Sequence, residues 1–296
     1  MRFVTYRQKD IQTIGMLTSV DADCLIPLRE AEKRLTGRDS LPDCMRLFIE
    51  RGKPALDVAR AILEEKEAPN IPLASVTLLA PIPRPAKNIF CVGRNYIEHV
   101  TEVNASSPVP EHPIIFSKPP TSVIGPEAPV DAHEDMVSGL DYEGELAVIM
   151  GRRACKISEE TAFDHIFGYT ILNDVTARDL QKRHVQWLLG KGLDTFCPMG
   201  PAIVHKSLIP DPTEMRVRTG INGELRQDAR VNELIFSIPA LLAAITQGIT
   251  LEPGDIIATG TPSGVGAGFK PPKFLKKGDV MEVSITGLGV LRNHIA

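Results

Sequence analysis

The first residues that could do chemistry form an acidic run, residues 140–146 (LDYEGEL), which leads into an apolar stretch ending at Met150. Glu143 and Glu145 are two positions apart, so in a β-strand their side chains project from the same face. Adjacent carboxylates repel each other by roughly 1–4 kcal/mol at 4 Å. A solvated edge strand with charged outward positions is one explanation. Because the strand continues into a core, the pair favours a bound metal ion.

A third carboxylate, Asp174, follows the apolar run 167–172 at the end of another predicted strand. It could equally cap a turn, since Asn-Asp is common in turns. Three carboxylates are hard oxygen ligands, which suit Mg²⁺, Mn²⁺ or Ca²⁺ better than zinc. Glu143, Glu145 and Asp174 are therefore the candidate ligands for such an ion.

Two polar segments follow Asp174. In residues 173–183, a helix would place Arg178 and Gln181 on one face, and an arginine can grip a carboxylate with two parallel hydrogen bonds. Lys191 lies in a glycine-flanked stretch, residues 190–200. A lysine in such a stretch could simply be an exposed charge.

A possible acid–base pair lies further toward the N-terminus. His99 and Glu102 are three positions apart after a predicted strand, so one helical turn places them on the same face. A carboxylate beside an imidazole orients it and raises its basicity, which suits a base acting on water. A surface pair on a helix is the alternative. The Ser/Pro-rich stretch 104–113 could be a mobile lid.

The last candidate is the loop 258–266 (ATGTPSGVG), which has three glycines after a predicted strand. Its backbone N–H groups, with the Thr261 hydroxyl, could hold a small carboxylate. A tight turn without a ligand is as plausible. The loop matches neither a Walker A motif nor a dinucleotide-binding fingerprint.

Composition excludes several classes of protein. The chain has 296 residues, of which 43% are hydrophobic, so it can bury a large core, and its net charge of −4 disfavours nucleic acid and anionic membranes as partners. The longest nearly apolar run, Ile238–Ile245, is far short of the roughly 20 residues of a membrane span. The first ten residues do not resemble a signal peptide. Five cysteines without a C-x-x-C pair predict reduced thiols in a cytoplasmic protein.

The pattern of elements changes near residue 80. Residues 1–80 predict two strands and three helices, a small α+β domain. Residues 81–296 contain many short β-rich runs between turns and few helices, which predicts a mixed, mainly β domain. The expected fold class is therefore α+β.

Five ordered motifs in residues 81–296 together resemble the fumarylacetoacetate hydrolase family. They are Gly93–Tyr96 (GRNY), Asp141–Leu146 (DYEGEL), Asn173–Gln181 (NDVTARDLQ), Phe196–Gly200 (FCPMG) and Ala258–Gly264 (ATGTPSG). The leading 80 residues are similar to those of the longer bacterial members.

The resemblance implies a mixed β-roll fold, a homodimer and a small-molecule substrate. It implies that Glu143, Glu145 and Asp174 bind Mg²⁺ or Mn²⁺. It also implies that the metal binds the carboxylate and 2-oxo oxygens of a short 2-oxo acid. The other implied roles are an acid–base dyad of His99 and Glu102, oxyanion support from Lys191 and Gln181, and substrate-oxygen contacts from Arg178, Gly260 and Thr261.

Family membership leaves the reaction open, because members cleave or isomerise several 2-oxo acids. We expect metal-dependent hydrolysis of a C–C bond in an acylpyruvate or fumarylpyruvate type of acid. The first alternative is decarboxylation of oxaloacetate, or isomerisation and decarboxylation of a 2-hydroxyhepta-2,4-diene-1,7-dioate type of diacid. A non-catalytic metabolite-binding protein is the alternative from another class.

Overall fold

The first 80 residues fold as a small sheet with three helices. The computed structural model describes residues 1–103 and 106–296. The elements up to residue 80 are β1 (Arg2–Gln8), β2 (Ile11–Leu17), β3 (Cys24–Pro27), α1 (Leu28–Thr36), α2 (Met45–Arg51), α3 (Lys53–Glu64), β4 (Ile71–Pro72) and β5 (Thr77–Leu79). The sequence predicts α2 from Leu41, but the buried Glu32 carboxylate accepts the backbone N–H groups of Ser40 and Leu41 at 2.7 and 2.8 Å and holds them outside the helix.

The remaining chain is mainly β-structure. Its elements are β6 (Ile89–Gly93), α4 (Ile97–Val103), β7 (Ile114–Lys118), β8 (Val123–Ile124), β9 (Pro129–Val130), β10 (Leu140–Asp141), β11 (Gly144–Met150), β12 (Ile166–Asn173), β13 (Thr176–Ala177), α5 (Arg178–Arg183), α6 (Leu188–Lys191), β14 (Cys197–His205), β15 (Arg216–Ile221), β16 (Glu224–Arg230), α7 (Ile238–Thr246), β17 (Ile256–Ala258), β18 (Val280–Ile285) and β19 (Gly289–Ile295). Within the described ranges, no helix has the length and apolar character needed to cross a bilayer.

One large mixed sheet forms the frame, in the order β4-β3-β2-β1-β14-β12-β11-β17-β6-β7. Strand β1 pairs antiparallel with β14, through Arg2 with Val204 and Phe3 with Ile203. The sheet is therefore continuous across residue 80, and the division into domains at 1–80 and 81–296 stays a prediction.

Strand β11 lies inside this sheet and is buried on both faces. Leu146, Val148 and Met150 pack toward α7 and a second sheet, whose order is β16-β15-β18-β19-β9. Ala147 and Ile149 pack on the opposite side, in the core shared with the N-terminal helices. Mixed sheets with few helices confirm the α+β class.

The second sheet comes very close to β11 at Gly144, between the two glutamates. A β-carbon at Gly144 would lie 2.2 Å from Thr219 Oγ1 and 2.9 Å from Val283 Cγ1. Glycine is therefore required here by close approach of a neighbouring strand.

We expect Gly144→Ala to lower the free energy of unfolding by about 1–3 kcal/mol, because the two sheets must separate to admit a methyl group. Chemical denaturation of both proteins measures the change. Gly248→Ala is the matched control, since a β-carbon there meets no atom within 4 Å. Equal midpoints for Gly144→Ala and wild type would show that the sheets can move apart freely.

Candidate active site and metal centre

The three predicted carboxylate ligands lie together at one end of β11 and β12. These strands pair antiparallel with Gly144 opposite Asn173, so Glu143, Glu145 and Asp174 come from adjacent strand ends. One oxygen from each carboxylate lies within 4.8 Å of the other two, and all three side chains are buried. The Asp174 N–H donates to the Glu143 carbonyl at 2.8 Å, which fixes the two chain segments against each other.

Two buried lysines compensate part of this negative charge. Lys191 Nζ donates to Glu143 Oε2 at 2.6 Å and to Asp174 Oδ2 at 2.7 Å. Lys118, at the end of β7, forms an ion pair with Asp174 and donates to the Val175 carbonyl at 3.1 Å. The sequence analysis missed Lys118, whose only signal is a charge at the end of an apolar strand.

Arg178 connects the cluster to Asp141. Its Nε donates to Asp141 Oδ2 at 2.8 Å, and its Nη1 lies 2.7 Å from Glu143 Oε1 and 3.2 Å from Gln181 Oε1. Its Nη2 is buried and has no hydrogen-bond partner among residues 1–103 and 106–296. Arg178 therefore keeps one N–H₂ group for a ligand, while Asp141 serves to hold the arginine.

The pKa directions show which carboxylate lacks a cation. Burial alone would raise the pKa of Glu143, but the charges of Lys191 and Arg178 lower it. Burial, with the negative charges of Asp174 and Glu143, raises the pKa of Glu145 well above its usual value. Four carboxylates, counting Asp141, meet three cations in this cluster. Three oxygen donors and a missing positive charge fit a divalent cation.

The predicted acid–base pair is formed on α4. His99 Nδ1 lies 2.6 Å from Glu102 Oε1, and Glu102 Oε2 accepts the Gly264 N–H at 2.8 Å. The carboxylate thus orients the ring through Nδ1, and His99 lines the cavity described below. Of the proposed lid, residues 104–113, Asn104 and Ala105 lie outside the described residues.

The glycine-rich loop contacts the protein at each position predicted to bind substrate. The Gly260 N–H donates to Glu145 Oε2 at 2.7 Å. The Thr261 hydroxyl donates to the Gly144 carbonyl at 3.0 Å and accepts from Gln227 Nε2 at 2.8 Å. The roles of Gly260 and Thr261 in substrate binding stay predictions.

A cavity of about 550 Å³ opens over the cluster. Six predicted site residues line it: His99, Glu143, Arg178, Gln181, Lys191 and Thr261. The other four predicted site residues are not part of the lining but contact lining residues or their neighbours. They are Glu102, Glu145, Asp174 and Gly260. The sequence analysis missed Arg94, Lys182 and Trp187, which also line the cavity. The structure thus brings the metal, acid–base and substrate-contact candidates to one place.

Comparisons with known proteins agree with this assembly. Residues 88–296 match the profile of the fumarylacetoacetate (FAA) hydrolase C-terminal family. Oxaloacetate tautomerase YisK of Bacillus subtilis (strain 168) is 47% identical over 302 residues, which cover 100% of both chains. The mitochondrial oxaloacetate tautomerase fahd2 of Xenopus laevis is 45% identical over 258 residues, which cover 86% of this chain and 79% of the relative.

A solved structure is similar over the whole chain. The fumarylacetoacetate hydrolase EaFAH of Exiguobacterium antarcticum superposes with a TM-score of 0.84 at 39% identity. The alignment covers 100% of this chain and 99% of the solved one. The N-terminal 80 residues are therefore part of the shared architecture.

We expect Glu143→Ala to abolish binding of Mn²⁺, because it removes one of three ligands and leaves Lys191 and Arg178 without their shared partner. Titration of free Mn²⁺ by electron paramagnetic resonance measures this, with circular dichroism as the check on folding. Glu282→Ala, which changes an exposed carboxylate on β18, should bind Mn²⁺ as wild type does. Unchanged affinity in Glu143→Ala would exclude the carboxylate cluster as the metal site.

We expect Lys118→Met to lower the free energy of unfolding of the metal-free protein by roughly 3 kcal/mol. That is the low end for a broken buried ion pair, since Lys191 still contacts Asp174. Thermal or chemical denaturation with and without Mn²⁺ measures the loss, and the added cation should recover part of it.

The matched control is Lys273→Met, which breaks an exposed Lys–Glu pair and should hardly change stability. An equal change in the free energy of unfolding in the two lysine variants would show that Lys118 does not compensate a buried charge.

Proposed function

Since this chain belongs to the fumarylacetoacetate hydrolase family, we propose that it is an enzyme that interconverts the enol and keto forms of oxaloacetate. One observation carries the proposal: the His99–Glu102 pair and the carboxylate cluster share one cavity. Enol–keto exchange next to a 2-oxo group needs a proton carrier at C3 and positive charge at the C2 oxygen. The cavity offers candidates for both.

Hydrolysis of an acylpyruvate, the reaction that the sequence analysis favours, receives less support than a reaction of oxaloacetate. For that acid the sequence analysis names decarboxylation and does not name enol–keto exchange. Two relatives that align with 86–100% of this chain are named oxaloacetate tautomerases. Hydrolysis remains the second candidate, because a His–Glu pair can also activate water and the similar solved structure is named a hydrolase.

Glu143, Glu145 and Asp174 would hold Mg²⁺ or Mn²⁺, which supplies Lewis-acid stabilisation of negative charge on the C2 oxygen. Lys191 donates to two of these ligands and orients them. The free Nη2 of Arg178 can bind a substrate carboxylate oxygen. These contacts fix the acid with C2 near the cluster.

His99 is the group placed to move a proton at C3. In the direction from enol to keto, the hydroxyl proton leaves to water and His99 Nε2 delivers a proton to C3. Solvent then reprotonates the imidazole. Glu102 keeps the ring in one orientation, since Nδ1 lies 2.6 Å from its carboxylate.

We expect His99→Ala to lose about 10²–10⁴-fold in the rate of enol–keto exchange, the usual contribution of a positioned acid–base group. Proton exchange at C3 of oxaloacetate in D₂O, followed by NMR, gives this rate. Pyruvate release is measured in the same samples, and enzyme-free samples at equal Mg²⁺ correct for the reaction with free metal. His294→Ala, on an exposed position of β19, is the control.

Three results would contradict the proposal. Exchange in His99→Ala at the wild-type rate would remove His99 from the reaction. Pyruvate formed as fast as C3 exchanges would identify a decarboxylase. Cleavage of acetylpyruvate or fumarylpyruvate, without exchange on oxaloacetate, would identify a hydrolase. The homodimer that the family resemblance implies and the cytoplasmic location that the cysteine content predicts stay predictions.

A further inference from the structure

Two cations that line the cavity have no role in the reaction described above. We propose that Arg94 and Lys182 bind a second, distal carboxylate of the substrate, so that the site selects short 2-oxo dicarboxylic acids over 2-oxo acids with a neutral tail. This inference rests on the proposed function, because it places the 2-oxo end of the acid at the carboxylate cluster.

The pairing of charges in the cavity singles out these two side chains. The other ionisable lining groups, His99, Glu143, Arg178 and Lys191, all have hydrogen-bonded or ion-pair partners. Arg94 and Lys182 have none within the described part of the chain. Glu143 is the only acidic residue among the described lining residues, and it is already paired. Apart from the carboxylate cluster, the unpaired charge along the cavity lining is therefore positive.

The backbone holds Arg94 at the cavity. Arg94 has a φ of 55°, the left-handed region that a residue with a β-carbon rarely adopts. The next residue, Asn95, is fully buried and fixes this turn. Its Nδ2 donates to the Thr259 carbonyl at 2.8 Å, and its Oδ1 accepts the Phe236 N–H at 2.8 Å. Strained residues over-determined in this way concentrate at binding sites.

Lys182 comes from the helix that already supplies two lining residues. Arg178, Gln181 and Lys182 all lie on α5 and all line the cavity. The next lining residue, Val185, also has a positive φ, 58°, which is a marked outlier for a β-branched side chain. The segment after α5 is therefore held in an unfavourable conformation where it meets the cavity.

Trp187 joins the two segments that carry these cations. A β-carbon on Gly93 would lie 2.3 Å from Trp187 Cζ3, so the indole packs directly on the backbone beside Arg94. The same ring packs edge-on against Phe116, with centroids 5.3 Å apart. The turn with Arg94 and the segment after Lys182 thus pack against each other beside the cavity, and Lys182 lies one helical turn after Arg178 on α5.

This arrangement accounts for selection by charge. A distal carboxylate gains charge-assisted hydrogen bonds from Arg94 and Lys182. Arg94 and Lys182 are both exposed, so beside a neutral tail they stay hydrated and the ligand loses only these charge-assisted hydrogen bonds.

Calorimetric binding to the Mg²⁺-loaded protein tests the inference with ligands that do not react. Oxalate has no tail, malate has the length of oxaloacetate with a distal carboxylate, and the 4-amide of malate has a neutral tail of similar shape. Wild type should bind malate about tenfold or more tightly than the amide. The Arg94→Gln and Lys182→Gln variants should each bind malate more weakly than wild type by a similar factor. Their affinity for oxalate should be unchanged.

Arg183→Gln is the matched control, since Arg183 is the neighbouring cation on α5 but does not line the cavity. It should bind all three ligands as wild type does. Oxalate binding with unchanged malate affinity in both variants would overturn the inference and leave the proposed function standing. Failure of wild type to bind oxalate would overturn both. Selective malate binding without C3 exchange on oxaloacetate would overturn only the proposed reaction.

Discussion

The structure depends on neutralising carboxylates that are buried where β11 and β12 end. Burying one unpaired charge costs several kcal/mol, so each carboxylate needs a cation or a hydrogen-bond donor brought to it. The cations come from separate elements: Lys118 from β7, Arg178 from α5 and Lys191 from α6. Three elements beyond the acidic strand must therefore be in place before the cluster is stable. Burial, with the negative charges of Asp174 and Glu143, raises the pKa of Glu145, and the one hydrogen-bond donor to it among the described residues is the Gly260 N–H. The cluster thus keeps a net negative charge beside Glu145, which favours a bound cation there.

The glycine-rich loop 258–266 acts on the protein's own acids. Its N–H groups reach Glu145 from Gly260, Glu102 from Gly264 and Asp141 from Gly266. One loop therefore sets the positions of a metal-ligand candidate, the carboxylate of the acid–base pair and the anchor of Arg178. Backbone donors are suited to this task because their directions are fixed by the fold. A shift of the loop would misplace the proton carrier and the metal site together.

The sequence predicted the parts of this site that depend on local spacing. Alternation along a strand placed Glu143 and Glu145 on one face, and an i,i+3 spacing paired His99 with Glu102, because both patterns follow from regular backbone geometry. Lys118 could not be found in this way. A lysine ending an apolar strand has the same local pattern whether it faces solvent or a carboxylate 56 residues away. The pairing of β1 with β14 was missed for the same reason, since it joins residues about two hundred positions apart. The choice of reaction also lay outside local patterns, because the candidate reactions share one set of side chains.

The charges that hold the substrate give a physical reason for one reaction over another. In oxaloacetate, the distal carboxylate is the group that would leave as CO₂, and its negative charge must then pass into the enolate. On the proposed arrangement, Arg94 and Lys182 stabilise that charge while it is still on the carboxylate. Binding that is stronger in the ground state than in the transition state raises the barrier to that step. Proton transfer at C3 leaves the distal carboxylate ionised throughout, so the same two cations do not oppose it. If Arg94 and Lys182 bind the distal carboxylate, they therefore favour enol–keto exchange over decarboxylation, although both reactions would use the same metal ligands and the same histidine.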